Sequence, residues 1–180
     1  MTLGMSTATF TLLHVLISLV GIGSGLVVLY GLLTAKRLDR WTALFLVTTV
    51  TTSVSGFGFH FDHLLPSHKV GILSLIVLTI AIAAHYGLRM SGLWRPVYVI
   101  SAAIALYFNV FVLVVQSFEK VPVLKSLAPT QKEPPFAVAQ LLVLAVFVTL
   151  TVLALKRFHP QTTIATPDLA ISPPREKKIA

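Results

Sequence analysis

The side chains best suited to chemistry are crowded into one short stretch, "HFDHLLPSH", where His60, His63 and His68 flank or follow Asp62. Neutral imidazole is a ligand for zinc and copper, and a pair of histidines can hold a b-type haem. The chain has no cysteine, so disulfides, CxxC redox motifs, thiolate nucleophiles and Cys-ligated clusters are excluded, and any metal must rely on His, carboxylate or carbonyl. The spacing of His60, His63 and His68 matches no defined metal motif, and Pro66 breaks it with a turn. These residues therefore read first as polar loop histidines at headgroup level, with a zinc or copper site as the alternative. There is no HExxH or GxSxG, and no carboxylate falls inside an apolar run, so no catalytic residue is expected.

The elements that must position these groups follow from composition. The 180 residues are 56% hydrophobic and 11% charged, with a mean hydropathy of +0.88, too little polar surface to cover a soluble core. A bilayer core of about 30 Å needs about 20 apolar residues per helix. Five runs come near that length: Phe10–Leu33, Trp41–Phe59, Val70–Arg89, Pro96–Phe118 and Phe136–Lys156. They lack the strict alternation of barrel strands, and inside lipid the backbone must satisfy its own hydrogen bonds. The expected fold is an all-α, polytopic transmembrane helical bundle over residues 1–157, followed by a disordered basic cytosolic tail over 158–180. The amino terminus lacks Lys and Arg and has no cleavage pattern, so the first run is expected to be retained as a span.

Basic residues set the orientation. Lys36, Arg37, Arg40, Arg89, Arg95, Lys156, Arg157, Arg175, Lys177 and Lys178 fall on one side, and Lys69, Lys120, Lys125 and Lys132 on the other. The amino terminus is then outside and the carboxyl terminus inside. The net charge of +8 follows from orientation and from contact with anionic head groups at the inner loops and tail, so nucleic acid is not an expected partner. The second outer loop carries Pro122, Pro129, Pro134 and Pro135, which forbid a continuous helix and predict a shaped cap or a re-entrant hairpin.

Inward faces are read from small and polar residues at helical spacing. His14, Ser18, Gly21 and Gly25 form one such face, with Gly21 and Gly25 a GxxxG pair. Thr48, Thr52 and Ser55 form the second, and Ser74, Leu78, Ala81 and His85 the third. Tyr98, Ala102, Ala105, Asn109, Val112 and Gln116 form the fourth, and Gln140, Leu144, Phe147, Thr151 and Ala154 the fifth. For Ser18, Gly21, Gly25, Ala102 and Ala105 the expected role is helix packing.

At about 1.5 Å per residue, His14 lies about 6 Å inside the outer boundary. Gln116 and Gln140 come to the same level, with His60, His63 and His68 just above, while His85 is near the inner end. Gln116 is expected to hydrogen-bond toward His14 or Gln140. The outer cluster therefore comprises His14, His60, His63, His68, Gln116 and Gln140, with Asp62, Glu119 and Glu133 as loop carboxylates, and the residues expected to bind a ligand are His14, His68, Asn109, Gln116, Gln140 and Glu133. Bis-histidine haem needs both rings at one depth, which His14 and His85 do not share. Coupled proton pumping usually has an ionisable group at the bundle centre, where this chain has Asn109.

The segment Arg95 to Phe136, with Asn109 to Gln116, "APTQ" at Ala128 to Gln131 and "EPPF" at Glu133 to Phe136, resembles a family of small uncharacterised bacterial inner-membrane proteins. "PSHKVGILSL", Pro66 to Leu75, is similar too, and the likeness runs from about His14 to Pro160. The resemblance implies a location and a topology but no activity, and it singles out His68, Asn109, Gln116 and Glu133. The resulting expectation is a small multi-pass protein whose outer polar cluster binds a ligand, lipid head group or partner subunit, without resident cofactor. The alternatives are a haem- or copper-binding redox protein and a small homo-oligomeric transporter.

Overall fold

The structure, a computed structural model, describes residues 6–59 and 66–158. Of these, 84% are helical and none is in a strand. Five long helices follow one another as α1 (Thr7–Leu33), α2 (Asp39–Gly56), α3 (Pro66–Ile82), α4 (Trp94–Lys120) and, after a short α5 (Pro122–Leu127), α6 (Pro134–Arg157). The last turn of α3 passes into a π turn, Ala83–Gly87. Ser6 caps α1 by accepting a hydrogen bond from the Thr9 N–H. Pro122 and Pro134 open α5 and α6 at positions where a missing N–H costs nothing.

Four of these helices are long and apolar enough to cross a membrane: Thr7–Leu33, His68–Gly87, Trp94–Lys120 and Pro134–Arg157. Helix α2, rich in Thr and Ser and opening on Asp39 and Arg40, is not among them. It nevertheless runs the length of the bundle. Its 18 residues rise about 27 Å, and its two ends bond to opposite ends of the molecule, Thr42 to Tyr98 and Ser55 to His14.

Helix α2 packs against α1 and α3, and α4 against α1, α3, α5 and α6; the bond from Ser55 at the end of α2 to His14 near the start of α1 shows that these two run antiparallel. Helix α4 is thus the hub, with 44% of its most apolar window buried, against 11% for α6. The periodicity explains why. The α4 face of Tyr98, Ala102, Ala105 and Asn109 is buried, as is the α3 face of Ser74, Leu78, Ala81 and His85. Small residues on both let the backbones approach. On α1, Gly21 and Gly25 are buried and Ser18 is half-buried, whereas Gly23 faces open space. A Cβ at Gly25 would lie 2.5 Å from Leu106 Cδ1 and 2.9 Å from the Phe45 ring, so this glycine is what lets α1 close on the core.

The proline-rich loop between α4 and α6 is a shaped cap. Helix α5 lies against α4, Ala128 is buried, and the Gln131 side chain donates to the Val115 carbonyl at 3.2 Å. The proposed sites His60 and His63, with Asp62, and the tail beyond Phe158 lie outside the described residues.

Candidate functional site

The ends of α1, α2, α3 and α4 nearest the proline-rich loop line a half-open pocket of about 90 Å³. His14, Thr52, Ser53, Phe57, His68 and Val112 line it, and Gly56 and Gly71 leave the space that side chains would fill. His14 Nδ1 is 2.8 Å from the Ser55 hydroxyl, a contact that holds the ring. Ser53 donates to Ser74 at 3.1 Å. His68 is buried and its ring lies 5.5 Å from that of Phe57. The Thr52 hydroxyl is buried and has no partner. An unpaired buried hydroxyl carries a desolvation cost, so this one is a free handle for whatever enters. The site can therefore offer a hydroxyl and the second ring nitrogen of His14 to a small polar molecule.

Of the residues that the sequence groups together, His14 and His68 share this cavity. Asn109 lies one turn inward of Val112 and donates from Nδ2 to the Thr49 hydroxyl at 3.1 Å. Gln140 is half-buried and donates to the Phe111 carbonyl at 3.3 Å, tying α6 to α4. Gln116 differs from expectation: it is exposed, and His14 and Gln140 find other partners. At this level α4 packs through Phe118, whose ring lies 5.4 Å from that of Phe136. Gln116, two residues and so about 200° away, is turned outward.

Glu133 lies apart, at the base of the cap. Its carboxylate accepts from the Thr130 hydroxyl at 2.8 Å, the Thr130 N–H at 3.2 Å and the Lys132 N–H at 3.0 Å. Desolvation raises its pKa, but the hydrogen bonds from the Thr130 hydroxyl and from backbone N–H groups outweigh this and hold the carboxyl below its ordinary value. The geometry makes it the organiser of this turn.

A second polar cluster at the opposite end of the bundle does not emerge from sequence. His85, carried on the π turn, is buried and its Nε2 lies 3.5 Å from Asp39 Oδ1. Asp39 also pairs with Arg37 at 3.3 Å. The Tyr98 hydroxyl is 3.2 Å from that of Thr42, and the Tyr98 and His85 ring centres are 4.8 Å apart. His85 Nδ1 is buried without a partner. These groups border a half-open pocket of about 10 Å³, lined also by Met90 and Phe158, which is room for one water. Left-handed backbone at Ala35, Arg89 and Met90 turns the chain sharply around it. The periodicity places His85 and Tyr98 on inward faces, but only the folded chain brings Asp39 to them.

Among the described residues, no three His, Asp or Glu side chains come together as a metal-ion group. No protein-family model, curated protein or solved structure matches this chain.

Proposed function

We propose that this chain is a five-span protein of a bacterial inner membrane, amino terminus out, that holds a small polar ligand in the cavity between His14 and His68. The observation that carries the reading is the pocket that His14, His68 and Thr52 line, where the Thr52 hydroxyl is buried without a partner. Four apolar helices of membrane length support the location. The orientation is supported by Lys36, Arg37, Arg40, Arg89, Arg95, Lys156 and Arg157 gathering at the His85 end. Helix α2 is the fifth span because its polar face is turned into the bundle and its Val47, Thr51 and Val54 face out.

Size limits the ligand. An apolar cavity of about 150 Å³ takes benzene, so about 90 Å³ suits three or four heavy atoms. Amides and alcohols of that size complement a hydroxyl and a ring nitrogen. The experiment is a thermal-shift series in mild detergent with formamide, acetamide, urea and their N-methyl homologues. Stabilisation that peaks at a small member and is lost in Thr52→Val supports the site; identical responses in both proteins refute it.

Copper is a second reading, favoured by His14 and His68 facing one space with His14 already oriented through Nδ1, as metal-binding histidines are. The cavity suits an ion and not a macrocycle. Metal content and the visible spectrum of purified protein decide it. Reporters fused after Ala180 and within residues 119–135 test the topology: the first should be active only in the cytosol, the second only outside. If both report one side, α2 does not cross.

A further inference from the structure

The pocket at the His85 end sets charges of both signs around a very small space. Lys36, Arg37, Asp39, His85 and Tyr98 all line it. The contacts of Asp39 to Arg37 and to His85 both run through Oδ1, which leaves Oδ2 to other partners. His85 Nε2 faces this carboxylate at 3.5 Å, so in the neutral ring the proton sits on Nε2 and Nδ1 presents a lone pair. Among the described residues nothing donates to that Nδ1, although it is buried. It is an acceptor in want of a donor, and the space beside it admits one the size of a water.

We infer that this pocket binds a primary ammonium joined by a short link to a phosphate, the zwitterion that forms the head group of phosphatidylethanolamine. The ammonium, close to water in size, enters the space of about 10 Å³ and donates to His85 Nδ1, with Asp39 as its counter-charge. The phosphate stays at the mouth, on the exposed side chains of Lys36 and Arg37. Leu38, at the cap position of α2, has no side-chain acceptor to give that helix, so the N–H groups of its first turn are free for the same anion. A plain anion would face the Asp39 carboxylate and bring no proton to Nδ1. A plain amine would meet Lys36 and Arg37 with nothing to offset them. Only a ligand carrying both charges answers both halves of the pocket.

The height is right for a head group. All four membrane-length helices bring an end to this pocket: Leu32 closes α1, His85 ends the span after His68, Tyr98 lies in the first turns of α4, and Phe158 follows α6. Trp41, Tyr86 and Trp94 are exposed in the adjoining turns, where interfacial aromatics belong. General attraction of basic residues for a membrane surface favours anionic lipid, whereas this site favours a lipid without net charge.

The inference rests on the bundle lying in a membrane, but neither on which end is inside nor on a ligand beside His14. Full-length protein in mild detergent is titrated calorimetrically with dihexanoyl phosphatidylethanolamine and with the choline and glycerol lipids of the same chains. A choline nitrogen is too large for the pocket and has no N–H. The ethanolamine lipid should therefore bind tighter than either by about tenfold or more. Asp39→Asn, a change at a side chain 59% exposed, should abolish that preference, and so should His85→Leu where it folds. Lys36→Met combined with Arg37→Met should weaken the ethanolamine lipid by about tenfold. Equal binding of the three lipids overturns the inference, as does tighter binding of the glycerol lipid, or a preference that survives in Asp39→Asn. Free O-phosphoethanolamine separates the sources: given the lipid preference, affinity equal to the lipid's assigns the pocket to a soluble ligand of this chemistry, and lack of binding assigns it to the lipid.

Discussion

Gly23 and Gly25 lie two residues apart on α1, about 200° around the helix, and the structure predicts opposite signs for the same substitution. Alanine gains about 0.8–1.0 kcal/mol over glycine in a helix interior. At Gly23 nothing lies within 4 Å of the added Cβ, so Gly23→Ala should be neutral or stabilising by up to that amount. At Gly25 the new carbon meets Leu106 at 2.5 Å and Phe45 at 2.9 Å. Both are side-chain atoms, but Phe45 and Leu106 are 1% and 2% exposed, so neither has room to yield. Overpacking of this kind costs about 1–3 kcal/mol. The propensity gain is common to both variants and cancels in their difference, which leaves Gly25→Ala less stable than Gly23→Ala by about 1–3 kcal/mol. Equilibrium unfolding in mixed detergent micelles, titrated with a denaturing detergent, measures that difference directly. Equal stability of the two, or a more stable Gly25→Ala, would refute the close approach of α1 to the Phe45 layer.

Asn109→Leu and Thr49→Val should each destabilise the bundle by about 0.6–2 kcal/mol, with a coupling near 0.6 in the double-mutant cycle; strict additivity would mean the 3.1 Å contact contributes nothing. Because the Glu133 carboxyl is held below its ordinary value in the folded cap, its contribution is present above the unfolded-state pKa and is lost as pH falls through the folded one. Hydrogen exchange at the Thr130 and Lys132 amides should therefore become less protected, relative to intrinsic rates, only as pH falls below the ordinary carboxyl value of 4.5, and Glu133→Gln should remove that pH step. Gln116→Leu should leave stability within about 0.5 kcal/mol of wild type, as exposed substitutions do, and a loss as large as that of Asn109→Leu would show that the side chain is buried after all.

Composition alone determines that the chain is a set of apolar helices, because a backbone inside lipid has to bond within its own segment. Helical periodicity goes further: a residue's angular position depends only on its number, so the faces Ser74–Leu78–Ala81–His85 and Tyr98–Ala102–Ala105–Asn109 are legible without a structure. Periodicity says which residues share a face, however, and not whether a neighbour covers it at that height. Gln116 continues the buried α4 face in angle, yet at its level the packing has passed to Phe118 and the opposite side, so it is exposed. The cluster around His85 was hidden for a different reason. Asp39, His85 and Tyr98 belong to three elements far apart in the chain, and Asp39 looks like a surface charge opening a helix. Only the packing of α2 antiparallel beside α3 brings its first turn under the π turn that carries His85. Distances between helices are set by which side chains interlock, and that is a property of the assembled bundle, not of any one segment.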